Sequence, residues 1–151
     1  MHSLKRKQIL KTDLAGAWRF FSDPTNLATI TPASMNFRIT SPPHEGEMYA
    51  GQIIRYKVTV APTITVQWIT EITHVRKPYF FVDEQRRGPY AFWHHQHLFR
   101  EIDGGIEMTD EVNYEVPFGP LGRLVNRLFV GPKLEGIFEH RNKVLSGIYP
   151  V

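Results

Sequence analysis

In the strand-like segment Tyr90–Ile102, His95 and His97 alternate in step with Trp93 and Phe99, whereas His94 and Gln96 fall on the other parity. Side chains two apart on a strand share a face, so both imidazoles go where the large apolar rings go. In the next segment, Gly105–Val116, Asp110 keeps the parity of Ile106, Met108, Val112, Tyr114 and Val116. Asp103-Gly104 between the two segments is a two-residue hairpin signal. Such a turn pairs Ile102 with Gly105. Counting back sets Phe99 against Met108, His97 against Asp110, His95 against Val112 and Trp93 against Tyr114. Opposed residues on one face have Cβ atoms ~5 Å apart. A one-residue slip would send the two sets to opposite faces, so the matching parities support this register. An imidazole therefore meets a carboxylate on a face that is otherwise apolar. One segment earlier, Phe81, Asp83 and Gln85 share a parity, and a turn around Arg87-Gly88-Pro89 brings Asp83 near Trp93.

A buried polar group without a partner costs ~1–3 kcal/mol, and a lone carboxylate costs more. A cluster of Asp83, Gln85, His95, His97, Asp110 and Tyr114 on a core face is therefore either mutually satisfied or used. It serves one of three ends. His97 and Asp110 satisfy each other and hold the fold together. Alternatively, the cluster is the polar end of a small-molecule cavity, whose usual form is an apolar wall with a few convergent polar groups. In the third case His97, oriented by Asp110, acts as a general acid or base. His95, His97 and Asp110 also make up a two-histidine, one-carboxylate set of the kind that holds iron(II). There is no cysteine, which excludes a thiolate nucleophile, a sulfur-ligated metal and a disulfide framework. No Gly-rich phosphate loop and no Gly-x-Ser-x-Gly element is present.

The elements that must position these residues follow from periodicity. Ser3–Lys11 reads as a first strand. Thr12 or Asp13 caps a helix carrying Leu14, Ala17, Trp18 and Phe21, and Asp23-Pro24 opens a second short helix ended at Thr31-Pro32. Strands are expected over Met35–Ile39, Gly51–Val60, Thr65–Val75 and Tyr79–Arg86, before the two already described. Ile54, Tyr56, Val58 and Val60 point inward on one of them, and Val66, Trp68, Thr70 and Ile72 on the next. Pro117-Phe118-Gly119-Pro120 breaks the sheet, and a helix then runs to about Ser146. Leu121, Leu124, Val125 and Leu128 form one stripe along it; Leu134, Ile137, Phe138, Val144 and Leu145 form another. Gly131-Pro132 between them predicts a kink or two helices end to end. A sheet amphipathic on one face must cover that face, and the long helix is the largest apolar object available.

The 151 residues make up one domain of ordinary size, with 42% hydrophobic and 13% aromatic residues. Formal net charge is only +3, and the basic residues are scattered, so no nucleic-acid partner is expected. The basic start, Lys5-Arg6-Lys7, is followed by no apolar run of signal-peptide length, and no stretch is long enough to span a bilayer. A cytoplasmic location is expected. Arg123, Arg127, Lys133, Arg141 and Lys143 on the final helix form a solvated face, or a face for transient contact with an anionic membrane surface.

Several strings carry a resemblance. They are Phe81-Val82-Asp83-Glu84-Gln85-Arg86-Arg87-Gly88-Pro89-Tyr90, then Trp93-His94-His95-Gln96-His97-Leu98-Phe99, then Asp110-Glu111-Val112-Asn113-Tyr114-Glu115-Val116-Pro117-Phe118-Gly119, with Met48-Tyr49 and Gly51-Gln52-Ile53-Ile54-Arg55-Tyr56. Together they resemble a bacterial branch of the START-like helix-grip (SRPBCC) superfamily, which includes lipid-transfer domains, the birch-pollen allergen and polyketide cyclases. The resemblance spans the chain. It implies an α+β helix-grip fold: a seven-stranded, curved antiparallel sheet around a long C-terminal helix, with two short helices after the first strand. It implies a cavity for a small, mostly apolar ligand such as a lipid, quinone or polyketide-like compound. Tyr56, Trp68, Phe81, Trp93, Phe99, Met108, Tyr114, Leu128 and Phe138 are expected to line it, with Asp83, Gln85, His95, His97 and Asp110 at its polar end. The relatives in view need no metal in the grip, and no metal or cofactor is expected. Binding is put ahead of catalysis. The alternatives are a cyclase or dehydratase using His97 with Asp110, and an interaction module whose pocket is filled by its own side chains. The oligomeric state is left open.

Overall fold

The computed structural model describes Met1–Val151. Its elements are β1 (His2–Leu10), α1 (Leu14–Phe21), short 3₁₀ turns at Pro24–Leu27 and Ala33–Met35, β2 (Arg38–Ile39), β3 (Ile53–Ala61), β4 (Ile64–Arg76), β5 (Phe80–Arg87), β6 (Phe92–Ile102), β7 (Gly105–Glu115), α2 (Gly119–Val125) and α3 (Gly131–Ile148). The strands form one seven-stranded antiparallel sheet in the order β1-β7-β6-β5-β4-β3-β2. Five of the six pairings join sequence neighbours, four by hairpins or short loops and β2–β3 by the long connection 40–52, and β1 closes the meander by lying against β7. The fold is thus the expected α+β helix grip. No helix is long and apolar enough to cross a membrane.

Local chemistry explains the boundaries. The Asp13 carboxylate accepts from Gly16 N at 2.7 Å and caps α1, so Asp13 rather than Thr12 takes that role. The Asp23 carboxylate accepts from Thr25 N at 3.0 Å, but the segment behind it is a single 3₁₀ turn rather than an α-helix. The strand expected over Met35–Ile39 shrinks to Arg38–Ile39, because Asn36 adopts a left-handed φ of 44° that ends the preceding turn. At the β6–β7 hairpin Gly104 takes φ 82°, which glycine reaches without strain.

The C-terminal segment is helical throughout from Gly119 to Ile148, as two α-helices set end to end, one of the two outcomes expected at Gly131-Pro132. A π-helical turn over Asn126–Val130 joins α2 to α3. Gly131 N donates to Asn126 O five residues back, and Pro132 then falls in the first turn of α3, where it needs no N–H. Asn126 is itself buried and accepts from the Tyr114 hydroxyl at 2.8 Å, which pins the turn to β7.

Two apolar clusters fill the grip. One gathers Leu10, Trp18, Phe81, Phe99, Met108 and Leu145 beneath α1. The other gathers Trp68, Trp93, Val112, Tyr114, Leu134 and Phe138 beneath α3. Leu10, Ile106, Met108, Val112 and Leu145 are the largest fully enclosed side chains, each stabilising by roughly 1.5–3 kcal/mol relative to exposure. From β1, Gln8 Nε2 donates to Asn142 O at 2.8 Å and Arg6 pairs with Glu135, tying α3 to the sheet edge.

Candidate functional site

Between the sheet and α3 lies a cavity of about 430 Å³, lined by 32 residues of which 21 are hydrophobic. Its polar group sits where the two apolar clusters meet. The backbone register is His97 opposite Asp110, His95 opposite Val112 and Asp83 opposite His95. The side chains bond across this register, on the diagonal. His97 Nε2 lies 2.6 Å from Asp83 Oδ2, and His95 Nε2 lies 2.8 Å from Asp110 Oδ1. The remaining contacts are longer: His97 Nδ1 to Asp110 Oδ1 is 3.5 Å and His95 Nδ1 to Asp83 Oδ2 is 3.6 Å. The two imidazoles stack at 3.8 Å, and His97 stacks on Phe81 at 4.0 Å. The pairing expected between His97 and Asp110 is therefore corrected: β6 has a carboxylate strand on each side, and each imidazole reaches a different one.

Arg141, assigned to the solvated face from its charge, is buried instead. Its Nη2 lies 3.2 Å from Asp110 Oδ1, and its guanidinium rests near the rings of Phe21 and Phe138, 5.6 and 5.7 Å from their centroids. Leu134, Phe138, Arg141 and Leu145 are the four buried residues of α3, and their spacing of four, three and four is one helical stripe. That spacing was the available signal.

The electrostatics follow from burial and pairing. Burial pushes the Asp110 carboxyl up, but the Arg141 guanidinium and the hydrogen bond from His95 outweigh it and hold the group well below the usual carboxylate range. Asp83 is likewise held low against burial, by His95 and by hydrogen bonds from His97 and Trp93. Burial, with His95 alongside, takes His97 down to about 4 despite Asp83, so His97 is neutral near pH 7 and donates Nε2–H to that carboxylate. Burial and the charge of Asp83 push the Tyr56 hydroxyl up; it sits 3.2 Å from Thr70 Oγ1.

No family model and no curated protein matches the chain. Solved structures do. CV1439 from Chromobacterium violaceum superposes with a TM-score of 0.74 at 10% identity, over 100% of this chain and 99% of that one. Ms6760 from Mycobacterium smegmatis gives 0.67 at 18% identity, over 97% and 92%. The AHSA1-like protein from Aeromonas hydrophila gives 0.65 at 13% identity, over 97% and 94%. The chain has the START-like helix-grip fold. At these identities the likeness establishes the architecture and leaves the chemistry to the residues themselves.

Within the grip, Tyr56, Trp68, Phe81, Trp93 and Phe138 face the cavity, as do Asp83, His95 and His97. Six residues expected there do not line it. Asp110 stands behind His95 and is 6% exposed at its side chain, against 16% for Asp83, so Asp83 is the carboxylate open to the cavity. Gln85 turns away to clamp its own hairpin, donating to Tyr90 O at 2.8 Å and accepting from Tyr90 N at 3.0 Å. Phe99 and Met108 point inward but are covered by α1, whose Trp18 meets Phe99 edge-on at 6.2 Å. Tyr114 is spent on Asn126. Leu128 is 55% exposed on the outside of the π turn. Residues that periodicity missed complete the wall, among them Phe20, Leu27 and Ile30 from the segments after β1 and Tyr90 from the β5–β6 loop.

Proposed function

We propose that the chain binds or carries a small, mostly apolar molecule in the cavity between the sheet and α3. The observation that carries this reading is the cavity's composition: about 430 Å³ with a predominantly hydrophobic wall and one concentrated polar group, the form small-molecule sites usually take. A lipid, a quinone or a polyketide-like compound has that character. Trp68 Nε1 adds a detail. It is a buried donor with no partner in the chain, on a residue that lines the cavity. A buried indole N–H normally finds an acceptor, which favours a ligand bearing a carbonyl oxygen. Native mass spectrometry of gently purified protein should show a bound mass that Ile137→Trp, a substitution that fills the cavity wall, removes. A folded, ligand-free chain under every purification would overturn the proposal.

The carrier role extends to a membrane surface. Phe118, Leu121, Leu124, Leu128 and Phe129 are 51–79% exposed along the start of the C-terminal helix. On helical spacing Arg123 and Arg127 lie side by side along one edge of this apolar strip, an arrangement suited to an anionic lipid surface. The strip leads directly into Val130 and Lys133, which line the cavity. Arg141 belongs to the buried cluster and takes no part.

A second reading is catalytic, because Asp83 and His97 both line the cavity 2.6 Å apart. In a cyclase or dehydratase role, His97 would move the proton and Asp83, rather than Asp110, would orient it. His97→Gln would then abolish turnover of a bound ligand without releasing it.

A further inference from the structure

The buried polar cluster contains two carboxylates, Asp83 and Asp110, and one permanent cation, Arg141. One negative charge is left over in a poorly hydrated place, where it must be met by a proton on the imidazole pair or by a bound cation.

The contacts of the cluster bring one atom from each of three residues close together. Asp83 spends Oδ1 on Trp93 Nε1–H at 3.3 Å, so Oδ2 is the oxygen that meets the imidazoles. His95 has its Nε2 2.8 Å from Asp110 Oδ1, and that carboxylate is anchored in turn by Arg141. Donation of Nε2–H to Asp110 fixes the tautomer and leaves the His95 Nδ1 lone pair toward Asp83. A carboxylate behind a histidine is the usual support of a metal-binding imidazole, holding its ring and raising its basicity. His97 Nδ1 is buried without a hydrogen-bond partner, 3.5 Å from Asp110 Oδ1. If His97 binds through Nε2, its proton moves to Nδ1 and turns toward that same carboxylate. The ligand atoms of Asp83, His95 and His97 all lie within 4.8 Å of one another.

We propose that Asp83 Oδ2, His95 Nδ1 and His97 Nε2 form a site for one divalent first-row transition-metal ion of the zinc, cobalt or iron(II) class, with Asp110, Arg141 and Trp93 as its supporting shell. Two imidazoles and one carboxylate suit these ions, whereas calcium and magnesium prefer all-oxygen sets. Three protein ligands leave coordination positions toward the cavity that all three line. Ligands ~2.1 Å from one ion stand about 3.0–3.4 Å apart. The 3.6 Å contact between His95 and Asp83 is close to that already, and the 2.6 Å contact between His97 and Asp83 must open by a few tenths of an ångström. The sequence pattern offers Asp110 as the carboxylate; the structure assigns the position to Asp83. The site stands on this cluster alone and is independent of what fills the apolar part of the cavity.

The test is titration of the metal-depleted chain with cobalt(II) chloride, read by visible absorption. The expected result is one ion per chain, with the ligand-field bands of a four- or five-coordinate site, displaced by one equivalent of zinc(II). His97→Gln and Asp83→Asn should weaken binding by about 100-fold or more, and Asp110→Asn by roughly 10–100-fold. His74→Ala, on an exposed residue, should change nothing. A second measurement keeps the test independent of variant folding. In the ¹⁵N-histidine-labelled parent chain, zinc(II) should shift the Nδ1 resonance of His95 and the Nε2 resonance of His97 and leave His74 and His140 in place. Absence of stoichiometric cobalt bands, or zinc shifts confined to other histidines, would overturn the proposal.

Discussion

Replacing Arg141 by methionine isolates the electrostatics of the cluster from its packing. Methionine keeps an unbranched stem between Phe21 and Phe138, so the perturbation is the loss of the guanidinium 3.2 Å from Asp110 Oδ1. Both residues are enclosed, at 6% and 5% exposure. Asp110 is then left with the two imidazoles and no permanent cation. At an effective dielectric of ~20 a pair at this separation is worth about 5 kcal/mol before desolvation is counted. Removing one partner of a buried pair typically costs about 3–5 kcal/mol. At about 3 °C per kcal/mol for a chain of this size, Tm falls by roughly 10–15 °C. Urea unfolding followed by circular dichroism gives the free energy, with the m-value unchanged if only stability is affected. The double variant Asp110→Asn/Arg141→Met removes the stranded charge as well and should be more stable than Arg141→Met alone, the signature of coupled residues. A single variant within ~1 kcal/mol of the parent, or strict additivity in the double variant, would refute the buried-pair reasoning.

Three further outcomes follow from the geometry. Burial raises the phenols of Tyr56 and Tyr90; the unfolded chain loses these protons near pH ~10 while the fold retains them, so stability is full below that pH and falls above it. Absorbance at 295 nm should therefore show some tyrosines ionising only as the chain unfolds, and uniform ionisation in the intact fold would contradict this. Leu124→Glu with Phe129→Glu should abolish sedimentation with vesicles rich in anionic lipid while leaving cavity occupancy unchanged; undiminished sedimentation would rule out the exposed strip as the docking face. Trp68→Phe should weaken a carbonyl-bearing ligand by about 5–10-fold through loss of one hydrogen bond, measured by calorimetry, and leave a pure hydrocarbon unaffected.

The sheet was legible because period-two alternation is strong in β3, β4, β6 and β7, and because Asp103-Gly104 fixes one register outright. That register held residue for residue, including His97 opposite Asp110. What it could not give was the direction of each imidazole, since β6 has a neighbour on both sides and a side chain chooses between diagonals by packing. The β5–β6 register was harder, because four irregular residues separate the strands and no turn type could be read; Asp83 faces His95 and reaches Trp93 only diagonally. Arg141 reads as a surface residue from its charge, yet it sits on the apolar stripe, and position on a helix outranks residue type when a partner is buried nearby. Leu128 failed for a different reason. It shares with Leu121 and Leu124 a stripe that is exposed as a whole, because Gly122 and Asn126, small and polar, take the buried side of α2 and of the π turn. The anchor of that turn, the bond from Tyr114 to Asn126, is a tertiary contact.

A carrier of this kind must take an apolar molecule into the grip. Titration with a neutral naphthylamine fluorophore, excited through Trp68 and Trp93 in the cavity wall, measures this directly. The prediction is saturable energy transfer at one probe per chain, lost in Ile137→Trp while that variant keeps its fold by circular dichroism. No saturation, or equal transfer in parent and Ile137→Trp, would contradict it.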